Sequence, residues 1–94
     1  MTWKMLKDGD LLPDGWKTVS IRFQKLQDAW ELYQEVKMIF REFPIQSGCW
    51  FGWGDLPASS DIEAEYWVQN DLQAEYLAKR AAHWPGSQVL PLPS

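Results

Sequence analysis

Ninety-four residues, 46% hydrophobic and 23% charged, predict one small globular domain spanning 1–94. A formal net charge of −4 argues against a phosphate-binding surface, and a single cysteine, Cys49, excludes an intramolecular disulfide. No apolar run approaches the ~20 residues of a membrane span and the N-terminus lacks a signal peptide's apolar centre, so the expectation is a cytoplasmic protein without membrane contact.

Seven tryptophans are the unusual feature. Each buried aromatic withdraws ~150–250 Å² from water, an upper bound of ~4–6 kcal/mol. Four or five of the indoles are expected to fill the small core, and the rest to mark a surface that binds something.

In chain order, residues 1–15 read as an N-terminal arm and 16–94 as an α+β body. Asp8-Gly9 and Asp14-Gly15 are turn dipeptides with Pro13 between them, and Trp3, Met5 and Leu6 supply apolar surface to dock the arm. Asp8, Asp10 and Asp14 resemble a fragment of a calcium loop. Leu12 stands where a ligand is needed and Ile21 where the closing carboxylate belongs, so turn chemistry is the better account. Lys17 to Phe23 is a strand, with Val19, Ile21 and Phe23 on one side and Thr18, Ser20 and Arg22 on the other. A helix follows, its apolar face made of Ala29, Leu32, Tyr33, Val36, Ile39, Phe40 and Phe43. Asp28 with Glu31 reads as its capping box and Pro44 as its stop.

Ser47 to Asp55 is a short aromatic strand in which Gly52 and Gly54 signal a bulge or a close backbone approach. Leu56 to Ser60, with Pro57, is a turn-rich connection. The next stretch, Asp61 to Trp84, decides the fold. As one helix it would carry Glu63 and Asn70 on its buried stripe without partners, although Ser60 to Glu63 has the form of a capping box. As a strand, Ile62, Ala64, Tyr66 and Val68 alternate with Glu63, Glu65, Trp67 and Gln69. A second helix then opens at Asn70, with Gln73 reaching back, and buries Ala74, Leu77, Ala78, Ala81 and Trp84. Pro85-Gly86 ends it, and Gln88 to Leu92 forms a short edge strand limited by Pro91 and Pro93.

The strand-then-helix reading yields the order βαββαβ, a ferredoxin-like plait with a four-stranded antiparallel sheet and two helices on one face. The alternative, a helical hairpin on a small sheet, applies if 61–84 is one helix. In the plait the inward set includes Val19, Ile21, Phe23, Ile62, Tyr66 and Val68. Trp67 then faces away from the helices, joined there by Trp50 or Trp53, and either the arm (through Trp3 and Leu6) or a second molecule covers them.

Chemistry-bearing constellations are scarce. His83 is the only histidine and nothing brings it to Cys49, one Cys and one His cannot build a structural zinc site, and no glycine-rich phosphate loop precedes a helix. No catalytic residue, metal or cofactor is therefore assigned, and the expectation is a protein that is not an enzyme. Trp50-Phe51-Gly52-Trp53 distantly resembles the aromatic strand of RNA-recognition modules. Against nucleic acid stands the stretch from Glu42 through Ala78, which holds seven acids (Glu42, Asp55, Asp61, Glu63, Glu65, Asp71, Glu75) and no Lys or Arg. The first 41 residues are balanced, with seven basic and six acidic groups. The asymmetry fits either a solubilising surface or a negative edge that steers a basic partner. The functional expectation is an interaction module that binds a protein partner or itself through Trp50, Trp53, Glu63, Glu65, Trp67, Asp71 and Glu75. A narrower version is an inhibitor of a nucleic-acid-binding protein, of the kind carried by mobile genetic elements. A small-ligand site on the open sheet face is the reading from another class.

Overall fold

The computed structural model describes residues 3–40, 48–56 and 60–90, with side chains from Met5 onwards. Phe43, Pro44, Pro91 and Leu92, and the side chain of Trp3, lie outside the described residues. The elements are β1 (Trp3–Met5), β2 (Lys17–Phe23), α1 (Leu26–Ile39), β3 (Cys49–Asp55), β4 (Ile62–Val68), α2 (Asp71–Ala81) and β5 (Gln88–Val89). Strands β2 to β5 form the antiparallel sheet of a βαββαβ plait in the order β3-β4-β2-β5. The arm adds a fifth strand: β1 pairs in parallel with the outer edge of β3, Met5 opposite Phe51.

The long-helix alternative for 61–84 is eliminated. β4 pairs along its whole length, Glu65 opposite Ser20 on one side and Gly52 on the other. The backbone breaks at Asn70, whose side-chain oxygen accepts from the Gln73 amide at 2.9 Å. Gln73 reaches back one residue further than a capping box does, accepting from the Gln69 amide at 2.7 Å. Its side chain is fully buried, so the apolar stripe of α2 is rotated to include it alongside Leu77 and Ala81. The α1 cap differs from the sequence expectation. The helix starts at Leu26 after extended Lys25, with no side-chain cap, and Asp28 lies inside the first turn. A carboxylate there still favours the helix through the dipole, which is why Asp28 mimics a cap in the sequence.

Both helices cover one face. Val19, Ile21, Phe23, Ile62, Ala64, Tyr66 and Val68 pack against Ala29, Leu32, Tyr33, Val36, Phe40, Leu77 and Ala81. Tyr66 crosses this layer and donates its hydroxyl to the Ala29 carbonyl at 2.8 Å, which satisfies a polar atom that burial would otherwise penalise. Arg80 ties the helices together, donating Nε and Nη2 to the two Glu35 oxygens at 2.5 and 2.6 Å. The core aromatics are Phe and Tyr. Trp84 packs half-buried against this core, but among the described side chains only Trp67 is a buried indole and it lies on the other face, so the core does not hold the four or five tryptophans expected.

Candidate protein-interaction surface

The open face is built from Thr18, Ser20 and Arg22 on β2, Glu63, Glu65 and Trp67 on β4, and Trp50, Gly52 and Gly54 on β3. Trp50 and Trp67 are cross-strand partners with ring centroids 5.7 Å apart, stacked at 28°. Trp16 leans on Trp50 at 5.1 Å. The Trp67 indole N–H donates to Glu65 Oε2 at 3.0 Å. The register is the one the alternation predicts, yet Trp67 is only 9% exposed.

The cover comes from the arm. Leu6 donates its amide to the Phe51 carbonyl at 2.7 Å and lies so close over Gly52 that a Cβ there would come within 2.8 Å of Leu6 Cβ. This is the close approach signalled by the Trp-Phe-Gly-Trp run. No bulge accompanies it, because the β3–β4 register is continuous from Cys49 to Asp55. The chain then turns at Lys7–Asp10 and again at Pro13–Trp16, each closed by an i to i+3 amide–carbonyl bond with a glycine at positive φ in third place. Asp10 caps the first turn, accepting from the Lys7 amide at 2.7 Å. That is turn chemistry for the Asp8–Asp14 cluster. Residues 6–16 thus form a strap that starts over Gly52 and ends on Trp50.

Trp53 takes a different position. Its partner on β4 is Ala64, so it sits on the helix side, 5.7 Å from Phe51. It is 48% exposed, because α1 reaches it only with its first turns. There Leu26, Gln27, Trp30 and Trp53 line a groove of about 280 Å³, with Trp30 40% exposed. On the opposite side of Trp53 a cleft of about 260 Å³ is lined by Leu6, Lys7, Asp8, Gly52, Gly54, Glu63 and Glu65. Trp53 is therefore the shared wall of an apolar groove and an acidic cleft. Trp30 was not singled out by sequence, where its place between Ala29 and Glu31 looks like an ordinary helix position. Its signal was an indole just off the buried stripe.

The seven residues assigned from sequence do not form one surface. Glu63 and Glu65 come together at one end of β3 and β4 in a cleft that Trp53 also lines, although its ring lies on the other, helix-side face. Trp50 is covered by Trp16 of the strap, and Trp67 is buried in its stack on Trp50. Asp71 lies beyond the other end of β4, with its carboxylate 3.7 Å from Lys17 Nζ, and Glu75 is exposed on α2. Five strand steps separate Glu63 from Val68, ~17 Å, so the acidic run splits into two patches.

Cys49 is buried in the core, and that burial pushes its thiol pKa up, which suppresses the nucleophilic thiolate. It pairs with Val68, next to the start of α2, whereas His83 is exposed beyond that helix's far end, ~16 Å along its axis. The Cys–His pair is not assembled. Burial raises Tyr33 to about 12 and pushes Tyr66 up as well, so both phenols stay protonated near neutral pH. Among the described residues no group of three or more His, Cys, Asp or Glu is placed to hold a metal ion, and no helix is long and apolar enough to cross a membrane. Comparison of the chain with protein families, curated proteins and solved structures gives no match.

Proposed function

We propose that this protein is a non-enzymatic interaction module whose contact surface is the corner around Trp53. The observation that carries the reading is the pair of half-exposed indoles, Trp30 and Trp53, flanking one apolar groove. Exposed Trp is costly to leave in water, and it is among the residues in which interface energy concentrates. The partner is a protein. Two alternatives lose support from the same geometry. Bases or a small ligand stacking on the open sheet face would meet the strap, since Trp16 and Leu6 occupy that face.

The test is a Trp30→Ala/Trp53→Ala variant beside wild type, with retention of host proteins on immobilised chain and sedimentation as readouts. The expected result is an unchanged fold with loss of a specific partner, or loss of self-association if the partner is a second copy. Unchanged retention and sedimentation would remove this corner as the contact surface.

A further inference from the structure

We propose that residues 3–10 form a hinged guard on the β3 edge, which lifts while the βαββαβ body stays folded. β1 is three residues long and pairs with β3 on one side only, whereas β2, β3 and β4 have seven residues each. None of the described side chains from Met5 to Trp16 is buried, although Cys49 and Phe51 on the strand beside β1 are fully so. Met5 packs half-buried against the core, and Leu6 lies over Gly52. Beside them the seam is incompletely filled: Leu6, Lys7 and Asp8 form one wall of the cleft of about 260 Å³, and β3 and β4 form the other. Segments with few buried apolar contacts occupy the low end of local stability.

The hinge is Leu11-Leu12, 84% and 42% exposed, which joins the turn Lys7–Asp10 to the turn Pro13–Trp16. The first turn moves with the guard, because the bonds that close it run between its own residues. The second stays, because Trp16 leans on Trp50 and leads directly into β2. Lifting therefore leaves Trp50 under Trp16 and bares the backbone of β3 instead. The Phe51 carbonyl accepts from the Leu6 amide, and the N–H and C=O of one strand residue point to the same side, so the Phe51 amide also faces β1. Unpaired, such groups are a template on which another strand can add. The guard thus gates a strand edge, closed in this structure, and the gate does not depend on the Trp53 corner being a contact surface.

The experiment is amide hydrogen exchange on the whole ¹⁵N-labelled chain, repeated at several low denaturant concentrations. Corrected for intrinsic rates, the Leu6 and Phe51 amides should exchange together, at least about 100-fold faster than the amides of β4, and without response to denaturant. The β4 amides, paired on both sides, should accelerate as denaturant rises. Ile21→Val trims a fully buried side chain on β2, which β4 separates from β3. It should speed exchange along β4 severalfold and leave Leu6 and Phe51 unchanged. If Leu6 and Phe51 exchange at the β4 rate, or accelerate with β4 in Ile21→Val, the arm belongs to one cooperative unit and the guard is overturned. A fast Leu6 amide beside a slow Phe51 amide overturns it too, since the motion is then fraying of the chain end that bares no edge.

Discussion

Trp50 and Trp53 lie three residues apart on one strand and meet opposite fates. Trp50 is on the face that a plait leaves open, yet it is sandwiched between Trp16 and Trp67. Trp53 is on the face that the helices seal, yet nearly half its surface meets water. The alternation of β3 assigns each to its face correctly. What alternation cannot assign is cover, which here comes from a connection on one side and is missing on the other because α1 reaches Trp53 only with its first turns. The strap thus covers the aromatic part of the open face at Trp50 and Gly52, and the place where apolar surface stays exposed moves to the margin of the helix layer.

The largest expected effect tests the roofed side. Trp67→Ala should cost ~3–5 kcal/mol, as truncation of a buried large aromatic does, read as a lowered denaturant midpoint with an unchanged slope. From sequence alone the same substitution is expected to spare the fold and weaken binding. A loss under ~1 kcal/mol would mean that the strap does not seal the face in solution, and the contrast between Trp50 and Trp53 would collapse.

Next in size is a change to the strap's seat. Gly52→Ala places a methyl group 2.8 Å from Leu6 Cβ, an atom tied closely to the backbone, so the strap itself must move. We expect ~1–3 kcal/mol of destabilisation and faster hydrogen exchange at the Leu6 amide, which bonds to the Phe51 carbonyl. Gly54→Ala is the control, with open space where its Cβ would go.

The plait was legible because its strands alternate cleanly and its helices carry one apolar stripe each. Asn70 with Gln73 marked the junction that matters most. The fifth strand was not legible: three residues with no alternation to measure carry no periodic signal, and their pairing depends on a distant edge. The site was half legible. Trp53, Glu63 and Glu65 were named, but the acidic run was taken as one edge, although β4 carries its members to opposite ends of the sheet. Trp16 and Trp30 were missed because what matters for each is a contact across the fold, Trp50 for one and Trp53 for the other.

On the exposed side, Trp53→Ala should leave stability within ~1 kcal/mol of wild type, since the ring loses little beyond its contact with Phe51. The same change should weaken binding of the protein partner proposed for this corner. Thermal unfolding of the Trp53 and Trp67 variants side by side measures the contrast directly. Equal losses would place both indoles in one cooperative core.

The smallest effect concerns why Trp30 stays exposed beside Trp53. α1 could hold its place through its buried stripe or through the clamp to α2. Arg80's hydrogen bonds to Glu35 hold that carboxyl below its ordinary value, with the Arg80 charge and that of His83 acting in the same direction and partial burial opposing them. A lowered folded-state pKa means that the clamp stabilises above the unfolded carboxylate value near 4.5 and is lost as pH falls through the lower folded value. Both side chains are about a third exposed, so water and salt screen the pair and its contribution is slight. Glu35→Gln should therefore lower the unfolding midpoint a little at pH 7, and the gap from wild type should close below pH 4.5. The Trp30 and Trp53 indole signals should not move, because Ala29, Leu32, Tyr33 and Val36 already anchor α1 in the core. A shift at Trp30 alone would show that the clamp sets the width of the groove, and with it the exposure that separates Trp53 from Trp50.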